Sequence, residues 1–360
     1  MNRDLQTLRS VLRVPTAPFR EQAVVEHVRR FAELPSLGFA LDEAGNVLLR
    51  YRRGRPGRAW VFAAHMDHPG FVATARRGRT LWARFLGSVE GEYFPGARAR
   101  FFAPAGPLSA DVESADRMRS TNGLSVRLRL DRPASVPPGT VGMWDVPAVR
   151  VQGGRVSARA CDDLAGVAAV LCALRHLADD GAEADVTALL TRAEEVGFVG
   201  AVAACRAGSI PPRAAVVGVE ASRAQPAAPL GAGAVIRVGD AARTFDPSLT
   251  AHVAAVAGEL SAEGAGTFGR CLMPGGTCES TVYQAFGRRS AAVCLPLANY
   301  HNRGRGTRIA PEQIHLDDFH SLVALLVRLG RSRYDAQAGR ARLVARVEGR
   351  FDALARDLHA

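Results

Sequence analysis

Six side chains that could hold metal ions or move a proton stand in short polar stretches, most of them directly after an apolar run. In chain order they are His65, Asp162, Glu194, Glu195, Glu220 and His301. Imidazole nitrogens and carboxylate oxygens form a mixed ligand set that suits zinc, cobalt or manganese, and not a thiolate structural zinc site. These residue types predict two divalent metal ions and hydrolytic chemistry, with zinc as the first expectation.

Two acids are expected to support the ligands. In a two-metal hydrolase, ions roughly 3.5–4 Å apart share a carboxylate and lower the pKa of a bound water to roughly 7. One acid must stay free to take the proton of that water and pass it to the leaving amine, and Glu194, next to Glu195, fits this role. Asp67 stands two residues after His65, where its carboxylate can accept the second ring N–H.

Each of these residues also has an ordinary explanation. A lone histidine after a strand is more often a packed or surface residue than a ligand. Glu194 and Glu195 together are typical of a solvated face or a helix start. Asp162 is typical of an N-cap, and Asp67 of a turn cap. These explanations are independent of one another, so the arrival of all the residues at one place favours a functional site.

The surrounding elements predict that they do meet. Apolar runs at 59–64, 185–191, 214–219 and 291–295 are typical of buried parallel strands, and 164–178 is typical of a buried helix. In an open α/β sheet, ligands bind in the crevice beyond the carboxyl ends of the strands. We predict an α/β fold with a mostly parallel central sheet and helices on both faces. Other predicted elements are a strand at 48–51 and helices at 2–14, 20–34, 248–260, 279–286, 311–329 (with Asp317 and Asp318 near its centre) and 336–359.

The residue pattern changes between the apolar run at 59–64 and the predicted helix at 164–178. Short alternating segments punctuated by glycine and proline replace the helical periodicity from about residue 71 to 150. We predict that residues 71–151 form an inserted, small β-barrel-like domain. The catalytic domain would then comprise residues 1–70 and 152–360.

Composition excludes several classes of function. The chain has 360 residues and a net charge of +11, and because it contains no lysine all 46 basic residues are arginine. The arginines are scattered and no nucleic-acid-binding motif is present, so no nucleic-acid partner is expected. No apolar run reaches transmembrane length, so no membrane partner is expected. Six cysteines without a CxxC pair, and the lack of a signal peptide, predict a reducing cytoplasm.

At these positions the sequence resembles the glutamyl aminopeptidase or TET aminopeptidase family of two-metal peptidases. The resemblance covers most of the chain outside the insert. The matching stretches, in the order of the family, are AHMDHPGF (64–71), ACDDLAG (160–166), RAEEVGFVGA (192–201), GVE (218–220), PGGT (274–277) and LPLANYH (295–301).

The resemblance implies a role for each residue. Asp162 would bridge two metals, with His65 and Glu220 completing one site and Glu195 and His301 the other. Glu194 would be the general base. It also implies a homo-oligomer joined through the inserted domain. The long interval between His65 and Asp162 holds that insert, whereas the related carboxypeptidases and deacylases carry their extra domain later in the chain.

The implied function is a metal-dependent aminopeptidase that uses a metal-activated water to release N-terminal residues from short peptides. A metal-dependent deacylase or amidohydrolase, and a catalytically silent metal-binding homologue, remain as alternatives. The chain departs from the family pattern at His68, Asp163, Leu164, Glu220 and Cys278. The neighbouring residues Arg303, Arg305 and Arg308 either favour an acidic substrate or form a solvated loop.

Overall fold

The computed structural model describes residues 3–55, 57–117 and 123–355. Its strands form one large sheet, one small sheet and one closed barrel. In chain order they are β1 (Leu37–Leu41), β2 (Val47–Arg53), β3 (Trp60–His65), β4 (Gly70–Arg77), β5 (Thr80–Leu86), β6 (Arg98–Ala103), β7 (Gly106–Arg117), β8 (Gly123–Leu130), β9 (Val141–Trp144), β10 (Val149–Gln152), β11 (Arg155–Ala158), β12 (Ala184–Thr191), β13 (Ala215–Arg223), β14 (Ala234–Gly239), β15 (Phe268–Leu272), β16 (Ser290–Leu297) and β17 (Glu312–His315).

Eight α-helices are present in the described ranges. They are α1 (Arg3–Val11), α2 (Gln22–Phe31), α3 (Leu164–Asp179), α4 (Val199–Ala207), α5 (Pro247–Ala262), α6 (Glu279–Ala285), α7 (Leu316–Arg331) and α8 (Ala336–Leu354). Single 3₁₀ turns lie at Gly91–Tyr93, Glu194–Val196, Tyr300–Asn302 and Arg305–Thr307. No helix of the described chain combines the length and the apolar character that a membrane span requires.

The large sheet has the strand order β1-β2-β12-β3-β13-β16-β14-β15, and its four middle strands are parallel. Helices α3, α5 and α7 contact one face, and α4 and α6 pack on the other. Strand β3 is buried at every residue, because helices cover both faces of the sheet there. This confirms the predicted α/β class with a mostly parallel centre.

The barrel has its own apolar centre. Its six strands close in the order β4-β5-β8-β7-β6-β9, all antiparallel. The rings of Phe71, Phe85, Phe94 and Trp144 pack mainly edge to face, with centroids 4.9–6.3 Å apart. A Cβ at Gly142 would lie 2.7 Å from the Phe101 ring, so this strand position requires glycine. The closed barrel agrees with the predicted barrel-like insert.

Two details of the sequence prediction are wrong. The predicted helix 311–329 begins later, because residues 312–315 form β17, which pairs with β11 in the small sheet β10-β11-β17. Asp317 and Asp318 therefore lie in the first turn of α7, where acids favour a helix, and not at its centre. Glu220 lies within β13 and does not follow it, since pairing with β16 extends the strand to Arg223.

A partly exposed ion pair joins α1 to α3. Nε2 of His176 lies 3.0 Å from both carboxylate oxygens of Asp4. The hydrogen bond to Asp4 raises the pKa of His176 above 6.5, against the effect of burial. Burial favours the neutral form of Asp4, but the hydrogen bond and charge of His176 outweigh it and hold the pKa of Asp4 below 3.8.

We expect this pair to make stability depend on pH. Its contribution is fully present between the two unfolded-state pKa values; it is lost as pH rises through the folded-state pKa of His176 or falls through that of Asp4. Because the His176 side chain is 43% exposed, the pair contributes at most about 1 kcal/mol, a melting shift of about 1–2 °C. His176→Gln should therefore lower Tm at about pH 5 and have less effect at about pH 9. An equal shift at both pH values would contradict the linkage.

Candidate active site

The fold carries the predicted residues to one edge of the large sheet. His65 ends β3, Glu194 and Glu195 lie in the turn after β12, and Glu220 lies in β13. His301 lies in the turn after β16. Asp162 lies just before α3. All six side chains therefore lie at the carboxyl end of the parallel strands.

His65, Asp162 and Glu220 form the first group of metal-capable side chains. Their ligand atoms lie within 4.8 Å of one another, and all three residues are buried. Nε2 of His65 lies 3.3 Å from Oδ1 of Asp162 and 3.8 Å from Oε2 of Glu220. The ring is held from behind, because its Nδ1 donates to the carbonyl oxygen of Asp67 at 3.2 Å. This arrangement directs Nε2 into the group.

Asp162, Glu195 and His301 form the second group. Nε2 of His301 lies 3.1 Å from Oε1 of Glu195 and 3.6 Å from Oδ2 of Asp162. Nδ1 of His301 donates to the carbonyl oxygen of Ser88 at 2.9 Å, which orients the ring. One oxygen of Asp162 thus faces each group, which is the geometry of a bridging carboxylate.

Three atoms at the centre are buried and make no hydrogen bond within the described chain. They are Oδ1 of Asp162, Oε1 of Glu195 and Nε2 of His301. The last two lie close together, but not in hydrogen-bond geometry. Burying polar atoms without partners is costly, and lone pairs converging from imidazole and carboxylate are what a divalent cation requires. The residues therefore fit a pair of metal ions.

Glu194 stands beside both groups. With His65 and Glu195 it forms a third set of converging ligand atoms. It is partly open to the cavity, although protein surrounds its carboxyl group. Burial raises the pKa of Glu194; the charge of His65 opposes the rise, and those of Glu195 and Glu220 add to it. A carboxylate with raised proton affinity beside a ligand cluster is suited to accept a proton.

Comparison with known proteins assigns the family. The family model of the M42 glutamyl aminopeptidases matches residues 129–325, more than half of the chain. The chain belongs to the M42 glutamyl aminopeptidase family. It is an enzyme that hydrolyses peptide bonds, as predicted, and the metal dependence of the family agrees with the ligand groups.

Solved structures share the fold of this M42 enzyme at low sequence identity. The Pyrococcus horikoshii TET1 peptidase is 21% identical with a TM-score of 0.73, and the match covers 92% of this chain and 100% of that one. An aminopeptidase of the archaeon Desulfurococcus kamchatkensis is 17% identical with a TM-score of 0.76, covering 94% and 97% of the two chains. No curated protein sequence matches the chain.

Asp67 holds the turn that carries Glu194 and Glu195 more directly than it orients His65. Its carboxylate oxygens accept the backbone N–H groups of Glu194 at 2.9 Å and Glu195 at 3.1 Å. The distance from Oδ1 of Asp67 to Nδ1 of His65 is 3.6 Å, longer than a hydrogen bond. Asp67 therefore positions the turn that carries both glutamates.

The backbone around the M42 site adopts unusual conformations. Ala193, Asn299, His301 and Asn302 have φ values of 52°, 55°, 57° and 62°. Non-glycine residues rarely adopt this left-handed region, at a cost of about 1–3 kcal/mol each. The turns that carry Glu194 and His301 are thus held by their surroundings against local preference.

A buried carboxylate that the sequence did not reveal clamps two parts of the site. Oε2 of Glu312 accepts the N–H groups of Cys161 at 2.6 Å and Asp162 at 3.0 Å, and Oε1 accepts that of His301 at 2.8 Å. Glu312 is fully buried in β17. It joins the segments that carry Asp162 and His301, which are far apart in the chain.

We expect Glu312→Gln to weaken metal binding. An amide cannot accept all three N–H groups, so one segment would shift and the apparent metal affinity should fall about 10–100-fold, as for other residues that orient ligands. Isothermal titration calorimetry with the metal ion measures this affinity. Glu259→Gln, on the exposed face of α5, is the matched control. Equal affinities in wild type and Glu312→Gln would show that the clamp does not position the ligands.

Three of the positions that depart from the family pattern are buried, and the structure shows what each of them contacts or how it is ionised. His68 is fully buried, and its ring bridges the carbonyl oxygen of Asp162 at 2.6 Å and Oδ1 of Asn302 at 3.0 Å. Asp163 caps α3 by accepting from the N–H of Gly166. Cys278 is buried and its pKa is raised by burial, so its thiol stays protonated and unreactive.

A cavity of about 100 Å³ opens onto the ligand groups. Its lining includes His65, Glu220, Arg237, Cys278 and Tyr300. A second cavity of about 520 Å³ shares Arg223, Ala224 and Tyr300 with the first. Arg303 lines the second cavity, where it pairs with Glu90, whereas Arg305 and Arg308 are exposed. The two cavities therefore adjoin one another, and the first of them reaches the ligand groups.

Proposed function

We propose that this M42 enzyme is a metal-dependent aminopeptidase that releases N-terminal residues from short peptides. The observation that carries the proposal is the pair of ligand groups that share Asp162, with buried polar atoms that lack hydrogen-bond partners at their centre. His65 and Glu220 would hold one ion, Glu195 and His301 the other, and Asp162 both. Zinc is the proposed metal, because this mixed N/O set suits it.

The residues divide the work of peptide hydrolysis. When bound, the ions polarise the scissile carbonyl and acidify a water molecule. The Glu194 carboxylate removes the proton of the attacking water and returns it to the nitrogen of the leaving amine. Asp67 fixes the backbone beneath Glu194, so that the carboxylate is already oriented before substrate arrives.

The proposal also covers the assembly of the protein and its cellular compartment. The P. horikoshii TET1 peptidase can assemble into a tetrahedron or a large octahedral shell. By analogy we propose a homo-oligomer joined through an inserted domain of residues 71–151, with residues 1–70 and 152–360 as the catalytic domain. All six cysteines are free, which fits the reducing cytoplasm that we propose as its compartment.

A substrate panel tests the proposal. Aminoacyl-anilides present a free N-terminal amine, whereas N-acyl amino acids test for a deacylase that uses the same ligands on a different amide. We expect turnover of the anilides and of dipeptides or tripeptides with a free amine. Turnover of the acyl amino acids alone would replace the aminopeptidase with a deacylase, and turnover of neither class would favour a silent homologue.

A further inference from the structure

A buried arginine, Arg237, lies in the wall of the cavity that reaches the ligand groups. It belongs to β14, is only 3% exposed, and lines the same cavity as His65 and Glu220. Its neighbour Ile236 points to the other face of the sheet and packs in the main core. The strand therefore places a permanently charged group directly beside the candidate active site.

The guanidinium of Arg237 uses little of its hydrogen-bonding capacity. Of its several N–H donors, Nη1 donates to Oγ of Ser222 at 3.1 Å, and Nε is buried without a partner. Arg237 forms no ion pair with any residue that the structure describes. A buried charge without a partner is strongly destabilising, so this arrangement indicates that a ligand completes it.

The acids and thiols near Arg237 are engaged elsewhere or uncharged. Asp240 already accepts four hydrogen bonds, from three backbone N–H groups and from the Thr281 hydroxyl. Burial raises the pKa of the Cys278 thiol, and that of Cys294 to about 12, so both thiols are neutral at neutral pH. Glu220 is left, and under the proposed function its carboxylate holds a metal ion.

Two other arginines reach the cavities, but their surroundings differ from those of Arg237. Arg303 pairs with Glu90. Arg223 is exposed, and its guanidinium lies 5.3 Å from the centroid of the Tyr300 ring. Water can solvate an exposed guanidinium. Of these three arginines, Arg237 alone is both buried and without an ion-pair partner in the described ranges.

We propose that Arg237 binds a carboxylate of the peptide substrate and thereby determines which peptides the enzyme prefers. A carboxylate matches the guanidinium in charge and in the planar geometry of paired N–H···O bonds. It is supplied either by an acidic side chain at the N-terminal residue or by the C-terminus of a dipeptide, which share this chemistry. The inference rests on the proposed function, because it names a substrate group for the same site.

Substrate pairs that differ in one carboxylate test the proposal and separate its two sources. Glutamyl-anilide and glutaminyl-anilide differ in the side chain and have no C-terminal carboxylate, whereas alanyl-alanine and its C-terminal amide differ only at that end. In the wild type we expect kcat/KM at least about tenfold higher for the charged member of one pair, the effect of a charge-assisted hydrogen bond. The pair that shows this preference identifies the source of the carboxylate.

Arg237→Gln should lower the kcat/KM ratio of charged to neutral substrate at least about tenfold. Arg270→Gln, at an exposed position of the adjacent strand β15, is the matched control and should keep the wild-type ratio. A wild type with no preference in either pair, or an equal loss on both members in Arg237→Gln, would overturn the inference while the proposed function stands. Turnover of none of the four substrates by the wild type would overturn both.

The stability of the metal-loaded protein gives a second test that needs no substrate. Arg237→Met replaces the unpaired charge with an apolar side chain of similar length. We expect the Tm of this variant to equal or exceed that of the wild type, because a residue kept for binding is often held at the expense of stability. A clear fall in Tm would make Arg237 a structural residue and would overturn the inference.

Discussion

Glu194→Gln is expected to lower kcat at least about a hundredfold while both metal ions remain bound. Glutamine keeps the size and the hydrogen-bonding reach of the side chain, but its amide cannot accept the proton of the attacking water. Glu194 is not assigned as a ligand, and the N–H groups that orient its turn come from the backbone, so the metal groups should survive the change. Steady-state rates on an aminoacyl-anilide, with metal content measured on the same sample, check both parts.

Glu43→Gln is the matched control for this prediction. Glu43 is exposed in the turn between β1 and β2, so its substitution removes the same charge without touching the site. It should leave kcat within about twofold, as surface changes usually do. If Glu194→Gln retained the wild-type rate with its metal in place, Glu194 would have no part in the proton transfer.

Asp162→Ala is expected to remove both ions, because Asp162 faces both groups. The ions supply several kcal/mol of transition-state stabilisation, so kcat should fall by at least about a thousandfold. His301 faces only the second group, so His301→Ala should keep the ion held by His65, Asp162 and Glu220. Elemental analysis of the two variants then separates a bridging acid from an ordinary ligand.

Asp163→Ala is the control that separates loss of metal from loss of fold. Asp163 stands next to Asp162 and caps α3, and losing such a cap costs about 0.5–2 kcal/mol. It should lower Tm but keep both ions. Retention of two ions by Asp162→Ala would contradict the bridging role, as would loss of both ions from Asp163→Ala at a temperature where it is folded.

Much of the fold follows from local patterns in the chain. The apolar runs before His65 and at 185–191 are long enough to indicate buried strands, and both lie in the parallel centre of the sheet. The meeting of the candidate residues could be predicted because most of them stand at the carboxyl ends of such strands, where neighbours in a sheet come together. Elements with weaker patterns were not predicted, among them the edge strands β1 and β15.

The supporting residues could not be predicted in the same way. Glu312 follows a proline and precedes two acids, a pattern that reads as a helix start, yet tertiary pairing with β11 makes it part of a strand. Its three hydrogen-bond donors come from positions 161, 162 and 301. His68 likewise contacts Asn302, far along the chain. Contacts of this range depend on the finished fold and leave no local signal.

The most direct test of the account is the metal content of the purified protein, measured together with its peptidase activity before and after chelation. We predict two divalent ions per chain, loss of activity with loss of the ions, and recovery when zinc, cobalt or manganese is restored. Full activity in protein stripped of metal, or a folded chain that binds no divalent ion at the groups sharing Asp162, would contradict the central claim.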